Sequence, residues 1–142
     1  MTRNQKIASG CGCALLVAAA CAIGVYVWAQ GAMGELREEG RAVMAEAEEF
    51  GRGRPSSACM DEAFSRLDAC DGVMCEATTG AWLEACLRAS TRPTGFCDGV
   101  PPESEIMASA RYRIAACRAR GARDEQACGR LLASVQRVCA EP

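Results

Sequence analysis

Cysteine is the one residue type in this chain whose abundance and spacing could do chemistry, with 11 copies in 142 residues. Thiols at that density can pair as disulfides, hold a metal or exchange electrons. Histidine is absent. That removes the Ser-His-Asp and Cys-His catalytic pairs, a histidine general base and histidine-ligated zinc or haem. Lys6 is the only lysine beside 15 arginines, so lysine-based covalent catalysis in the body of the chain is excluded as well. Carboxylates are plentiful, but no pair stands out as the acid and base of a glycosidase. The composition points away from an enzyme and calls for no cofactor and no metal.

Eight cysteines lie between residues 55 and 142: Cys59, Cys70, Cys75, Cys86, Cys97, Cys117, Cys128 and Cys139, at steps of 11, 5, 11, 11, 20, 11 and 11. Eleven residues of α-helix make about three turns, so two cysteines at that step share a face roughly 16 Å apart. The spacing predicts one helix from Ala58 to Cys70 and another from Cys75 to Cys86, joined by Asp71-Gly72-Val73-Met74. A turn that short makes the helices antiparallel neighbours. Cys70 then meets Cys75, and Cys59 meets Cys86. A linker follows, with Pro93, Gly95, Pro101 and Pro102 around Phe96 and Cys97. A third helix is expected from about Pro102 to Arg120, with Ile106, Ala110, Ile114 and Cys117 inward and Gly121 as its C-terminal cap. Asp124 is placed to cap a fourth helix whose stripe is Cys128, Leu131, Leu132, Val135 and Cys139. Folding these two together sets Cys117 opposite Cys128. Cys139 is left for Cys97, reaching in from the linker. Structural zinc sites favour C-x2–4-C pairs, and only Cys70 and Cys75 approach that spacing. No C-x-x-C occurs, so disulfides are the expected state.

The expected fold is all-α: an N-terminal transmembrane helix, a stalk helix, then two disulfide-stapled antiparallel hairpins built from four short helices. The nested pairing resembles the twin-cysteine hairpins of the coiled-coil-helix families. Those space their cysteines C-x9-C, whereas this chain has C-x10-C. The resemblance implies a shared hairpin topology and carries no function. Ala58-Cys59 through Cys70 also parallels Ala127-Cys128 through Cys139, which suggests a duplication.

The elements that must present this cysteine-rich domain come first in the chain. After a short N-terminus (1–6) carrying Arg3 and Lys6, the 23 residues Ile7–Ala29 hold no charge. As a helix they measure roughly 34 Å against a bilayer core of about 30 Å. Arg3 and Lys6 before the run, and acids after it, place the N-terminus in the cytoplasm and the rest in the periplasm or outside the cell. Tyr26 and Trp28 fall at the outer end. A retained signal anchor is the expectation. A cleaved signal peptide with release of the rest, or a lipoprotein joined at Cys21, are the alternatives. Cys11, Cys13 and Cys21 sit in the run as small apolar residues. Gly10, Ala14, Ala18 and Ala22 recur every four residues, a stripe that would let a second copy pair through this helix. Residues 30–54 are expected as an amphipathic stalk helix, with Leu36, Val43, Met44, Ala47 and Phe50 on one side, ended by a Gly/Arg linker at Gly51-Arg52-Gly53-Arg54.

Residues 31–142 carry 14 arginines and 18 acids, a net charge of −4, which argues against a nucleic-acid partner. Arg111, Arg113, Arg118, Arg120 and Arg123 cluster near the turn between the third and fourth helices. They would form a patch for an anion or an acidic partner, or would simply favour a helix C-terminus. Trp82, on a stripe with Leu83, is expected in the core. The functional expectation is a non-enzymatic, membrane-anchored envelope protein that presents a small disulfide-stabilised helical module to a protein partner. A thiol-redox or metal-handling assembly factor, and a secreted helical effector or inhibitor, are the alternatives.

Overall fold

The computed structural model describes residues 3–141, with the side chains of 3–16, 29–33, 35 and 36 outside that description. Among the described residues five helices follow one another: α1 (Arg3–Gly51), α2 (Ser56–Asp68), α3 (Val73–Ala89), α4 (Ile106–Ala119) and α5 (Glu125–Cys139). The chain divides within α1 into two compact units, Met1–Glu39 and Gly40–Pro142.

Among the described residues no helix is long and apolar enough to cross a membrane, so the structure lends the expected span no support. Residues 7–16 and Ala29 of the apolar run lie outside the described side chains, and Gly10 and Ala14 of the small-residue stripe fall with them. The stretch that is described, 17–28, is helical and exposed, including Ala18 and Ala22. Cys21 is a free, exposed thiol.

The second unit is built around α3 and α5, which run parallel. Glu76 pairs with Arg130 at one end and Glu84 with Arg137 at the other. Between them, Gly80 brings the two backbones close: a Cβ there would meet Ser134 Oγ at 3.1 Å. Trp82, Leu83 and Leu87 of α3 and Leu131, Leu132, Val135 and Val138 of α5 are buried together with Ala63 of α2. α2 packs on α3, and α4 packs on α5.

Local signals set the helix limits. Gly72, at φ +110°, makes the turn into α3. Asp124 Oδ1 accepts the N–H groups of Gln126 and Ala127 at 2.8 and 2.9 Å, capping α5. Past α4, Gly121 takes φ +66°, Ala122 N–H reaches the Cys117 carbonyl and Gly121 N–H reaches that of Arg118. This is the double bond of a Schellman cap.

Two expectations are corrected here. The stalk does not end outside the domain, because residues 40–51 belong to the second unit. Ala47 is fully buried, and Val43 and Phe50 pack against the core. Gly51 is itself buried, and a Cβ there would overlap the carbonyl oxygen of Cys86 and meet Ala89 Cβ at 3.2 Å. What reads as a breaker in the sequence is a close-approach residue. The second correction is the facing of α4, which begins at Ile106 and not near Pro102. Ile106 and Ile114 are 77% and 44% exposed and Ala110 is exposed too. The inward face instead carries Ser109, Tyr112, Arg113, Ala116 and Cys117.

A paired substitution tests the Gly51 contact. Gly51→Ala should lower stability by about 1–3 kcal/mol, as overpacking does. Gly40→Ala, in the same helix with nothing within 4 Å of its added Cβ, should be neutral or stabilising by up to about 1 kcal/mol. Thermal or urea unfolding of the two variants checks both signs.

Candidate functional site

The sulfur chemistry is resolved into four disulfides: Cys59–Cys86, Cys70–Cys75, Cys97–Cys139 and Cys117–Cys128. The spacing predicts three of these pairs, and Cys97–Cys139 is the pair that remained. Their Cα–Cα distances run from 5.4 to 5.9 Å, ordinary values for bonded cysteines. Equivalent positions differ from the duplication read in the sequence. α3 and α5 are the matched helices, each carrying both cysteines of a C-x10-C step and each second in its hairpin, so α5 corresponds to α3 and not to α2.

The four bonds differ in burial. Cys59, Cys86, Cys117 and Cys128 are fully buried and form part of the core. Cys97, Cys139 and Cys70 are half-buried, and Cys75 is exposed. They differ as well in the chain they close, with sequence separations of 5, 11, 27 and 42. On the chain-entropy account the shortest contributes about 2 kcal/mol and the longest about 4.

The linker that delivers Cys97 is held by a buried polar network. Gln136 is 1% exposed. Its Nε2 donates to the Pro101 carbonyl at 2.7 Å and to Ser109 Oγ at 2.9 Å. Its Oε1 accepts from Arg113 Nε at 2.5 Å, and Arg113 extends to Glu103 at 3.0 Å. Every polar atom of the amide is engaged, as burial demands, and α4 turns Ser109 and Arg113 inward to complete it.

The arginine cluster is dispersed. Arg113 faces this network, Arg118 pairs with Glu125 at 3.2 Å, and Arg120 pairs with Asp61 at 3.4 Å while lying over the Phe64 ring at 4.2 Å. Arg111 and Arg123 are exposed, with no ion pair among the described residues. Arg120 and Arg123 line a cleft of about 490 Å³ between the α2–α3 and α4–α5 turns, together with Phe64, Leu67, Cys70 and Asp124. The five arginines therefore do not converge on one anion site.

A second cation–aromatic group was not foreseen. The Arg66 guanidinium lies 4.2 Å over the Trp82 ring and the Arg54 guanidinium 4.0 Å over Phe50. The Phe50 and Trp82 rings meet at 5.2 Å. Arg66 also binds Glu46 at 2.5 Å and Glu62 at 2.9 Å, tying α1 to α2 above Trp82. Trp82 is buried as expected. Its Nε1–H makes no hydrogen bond among the described residues. The hydrogen bond from Arg66 holds the Glu46 carboxyl below its ordinary value. The backbone N–H of Ala127 does the same for Asp124, and Arg88 for Glu141. Among the described residues no group of acids and cysteines could hold a metal ion.

No protein-family model, curated protein or solved structure matches this chain.

Depressed carboxyl values fix the sign of the acid response. Each such group stabilises the fold fully above its unfolded value near pH 4 and ceases to do so as pH falls through its lower folded value. Stability should therefore decline below about pH 4, and Asp124→Asn should flatten part of that decline. Melting temperatures recorded from pH 2 to 7 check it.

Proposed function

We propose that this chain is a non-enzymatic, membrane-anchored envelope protein that holds a small disulfide-stapled helical module outside the membrane, for binding or for structure. The observation that carries the reading is that every cysteine from Cys59 to Cys139 is taken up in a disulfide, the state that exported compartments favour. Anchoring rests on the sequence, through the uncharged run Ile7–Ala29 with Arg3 and Lys6 before it. The absence of histidine and the single N-terminal lysine support a role without catalysis. A bound protein partner, and pairing of two copies through Gly10, Ala14, Ala18 and Ala22, belong to the same reading.

Two measurements test it. Expressed in a host that exports it, the chain should stay in the pellet when membranes are extracted with alkaline carbonate, and its N-terminal sequence should start at or next to Met1. Release into the supernatant with a new N-terminus near Gly31 would replace the anchor with a secreted protein. Denatured without reductant, it should accept maleimide-polyethylene glycol at Cys11, Cys13 and Cys21 only. Labelling within 59–139 in the isolated protein would refute a fully stapled module.

A further inference from the structure

Two of the four disulfides are fully buried, and Cys97–Cys139 is half-buried at both ends. The fourth, Cys70–Cys75, is presented to solvent. Cys75 is the one exposed cysteine among the eight bonded ones. It follows Val73 and Met74, which are 68% and 74% exposed, so the sulfur lies beside an uncovered apolar turn. Cys70, its partner, lines the cleft between the α2–α3 and α4–α5 turns. On that side Thr79, itself buried, places its hydroxyl 3.5 Å from Cys70 Sγ. A disulfide sulfur carries no hydrogen, so the hydroxyl is the donor. The two residues of one bond thus have different surroundings: Cys75, in the first turn of α3, is exposed, and Cys70 Sγ accepts a hydroxyl hydrogen bond that would also be made to its thiolate.

We propose that Cys70–Cys75 is a thiol–disulfide exchange site, with Cys75 Sγ as the atom attacked, Cys70 as the leaving thiolate and a dithiol as the co-reactant. One thiolate of the dithiol attacks Cys75 Sγ along the S–S axis. A new sulfur–sulfur bond forms to Cys75, and the Cys75–Cys70 bond breaks. The electron pair goes to Cys70, where the Thr79 hydroxyl holds the charge. The second thiolate of the dithiol then attacks its own sulfur in the mixed disulfide and expels Cys75. The dithiol leaves as a disulfide, two electrons and two protons are transferred, and Cys70 and Cys75 end as thiols. The reverse sequence oxidises the pair and reduces an incoming disulfide. Exchange is governed by access to the attacked sulfur and by the stability of the leaving thiolate, and this bond has both.

Opening the bond leaves α2 and α3 joined, because Cys59–Cys86 at their other end is fully buried. It also releases the shortest closed loop, with a separation of 5, the one that constrains the unfolded chain least. The site works within the folded domain and does not depend on how the chain is held at a membrane.

The experiment uses the full chain with its free thiols first blocked by iodoacetamide. Graded dithiothreitol followed by N-ethylmaleimide should modify Cys70 and Cys75 roughly tenfold faster than any other pair, with the helical circular dichroism retained. Glutathione, a monothiol, should leave its mixed disulfide on Cys75. Thr79→Val, which keeps the shape and removes the hydroxyl, should slow opening several-fold and leave the melting of the oxidised protein cooperative. Earlier opening of Cys97–Cys139, simultaneous opening of all four bonds, or glutathione on Cys70 would overturn the proposal. Equal rates for the Thr79→Val and unaltered chains would overturn the leaving-thiolate assignment.

Discussion

Two helices joined by a disulfide at each end have very little freedom. When the cysteines lie 11 residues apart on both sides of the turn, Cys59 in α2 with Cys70 two residues past its end and Cys75 and Cys86 both in α3, the bonds close only if the helices run antiparallel, in one register, with the cysteine faces turned together. Cys59–Cys86 and Cys70–Cys75 therefore decide which side of α3 is left for other contacts. That side carries Gly80, Leu83 and Leu87, and it meets the apolar stripe of α5. On that side α3 and α5 run parallel, and the ion pairs Glu76–Arg130 and Glu84–Arg137 frame the contact. On the other flank α4 is tied to α5 within its helix only by Cys117–Cys128. The second tie comes from outside the helix, through Cys97, so the linker has to be ordered by other means. Gln136 does that, by binding the Pro101 carbonyl.

The core that results is thin. Its large side chains are Trp82, four leucines and two valines, and four half-cystines fill positions that a larger domain would give to aliphatic residues. A small core of this kind needs covalent support. Arginine covers its edges: Arg54, Arg66 and Arg120 lie over Phe50, Trp82 and Phe64. Exposed ion pairs contribute little individually. The value of these residues lies in guanidinium planes and aliphatic stems laid over apolar rings, where a compact ammonium would fit poorly. This gives a physical role to a basic complement made almost wholly of arginine.

Three of the cysteine pairs were legible because they depend on helical period and turn position, both written in the spacing, and Cys97–Cys139 followed as the pair left over. The caps at Asp124 and Gly121 were legible for the same reason, since each acts within a few residues. Three features were not. Gly51 has the local signature of a helix stop, yet what it permits is contact with Cys86, 35 positions on. The face of α4 looked apolar through Ile106, Ala110 and Ile114, but Gln136 of α5 required polar partners, and the helix presents Ser109 and Arg113 to it. The correspondence of α3 with α5 was hidden because Cys59 and Cys70 make a matching cysteine step as well, and only the packing separates them. In each case the deciding contact lies far along the chain, where periodicity holds no information.

The same element thus serves two ends in this domain, and burial separates them. In the interior a disulfide is an apolar filler and a clamp, and nothing can reach its sulfurs without unfolding the helices around it. At the α2–α3 turn the geometry is reversed: the chain is short, Cys75 is exposed, and the clamp at the far end of the hairpin makes this bond redundant for keeping α2 in place. A staple whose loss the fold tolerates is free to take part in chemistry. The fully buried pairs, whose loss would open the core, are not. The division follows from the ladder itself. A hairpin stapled at both ends has a turn end and an open end, and the turn already holds the chain at one of them.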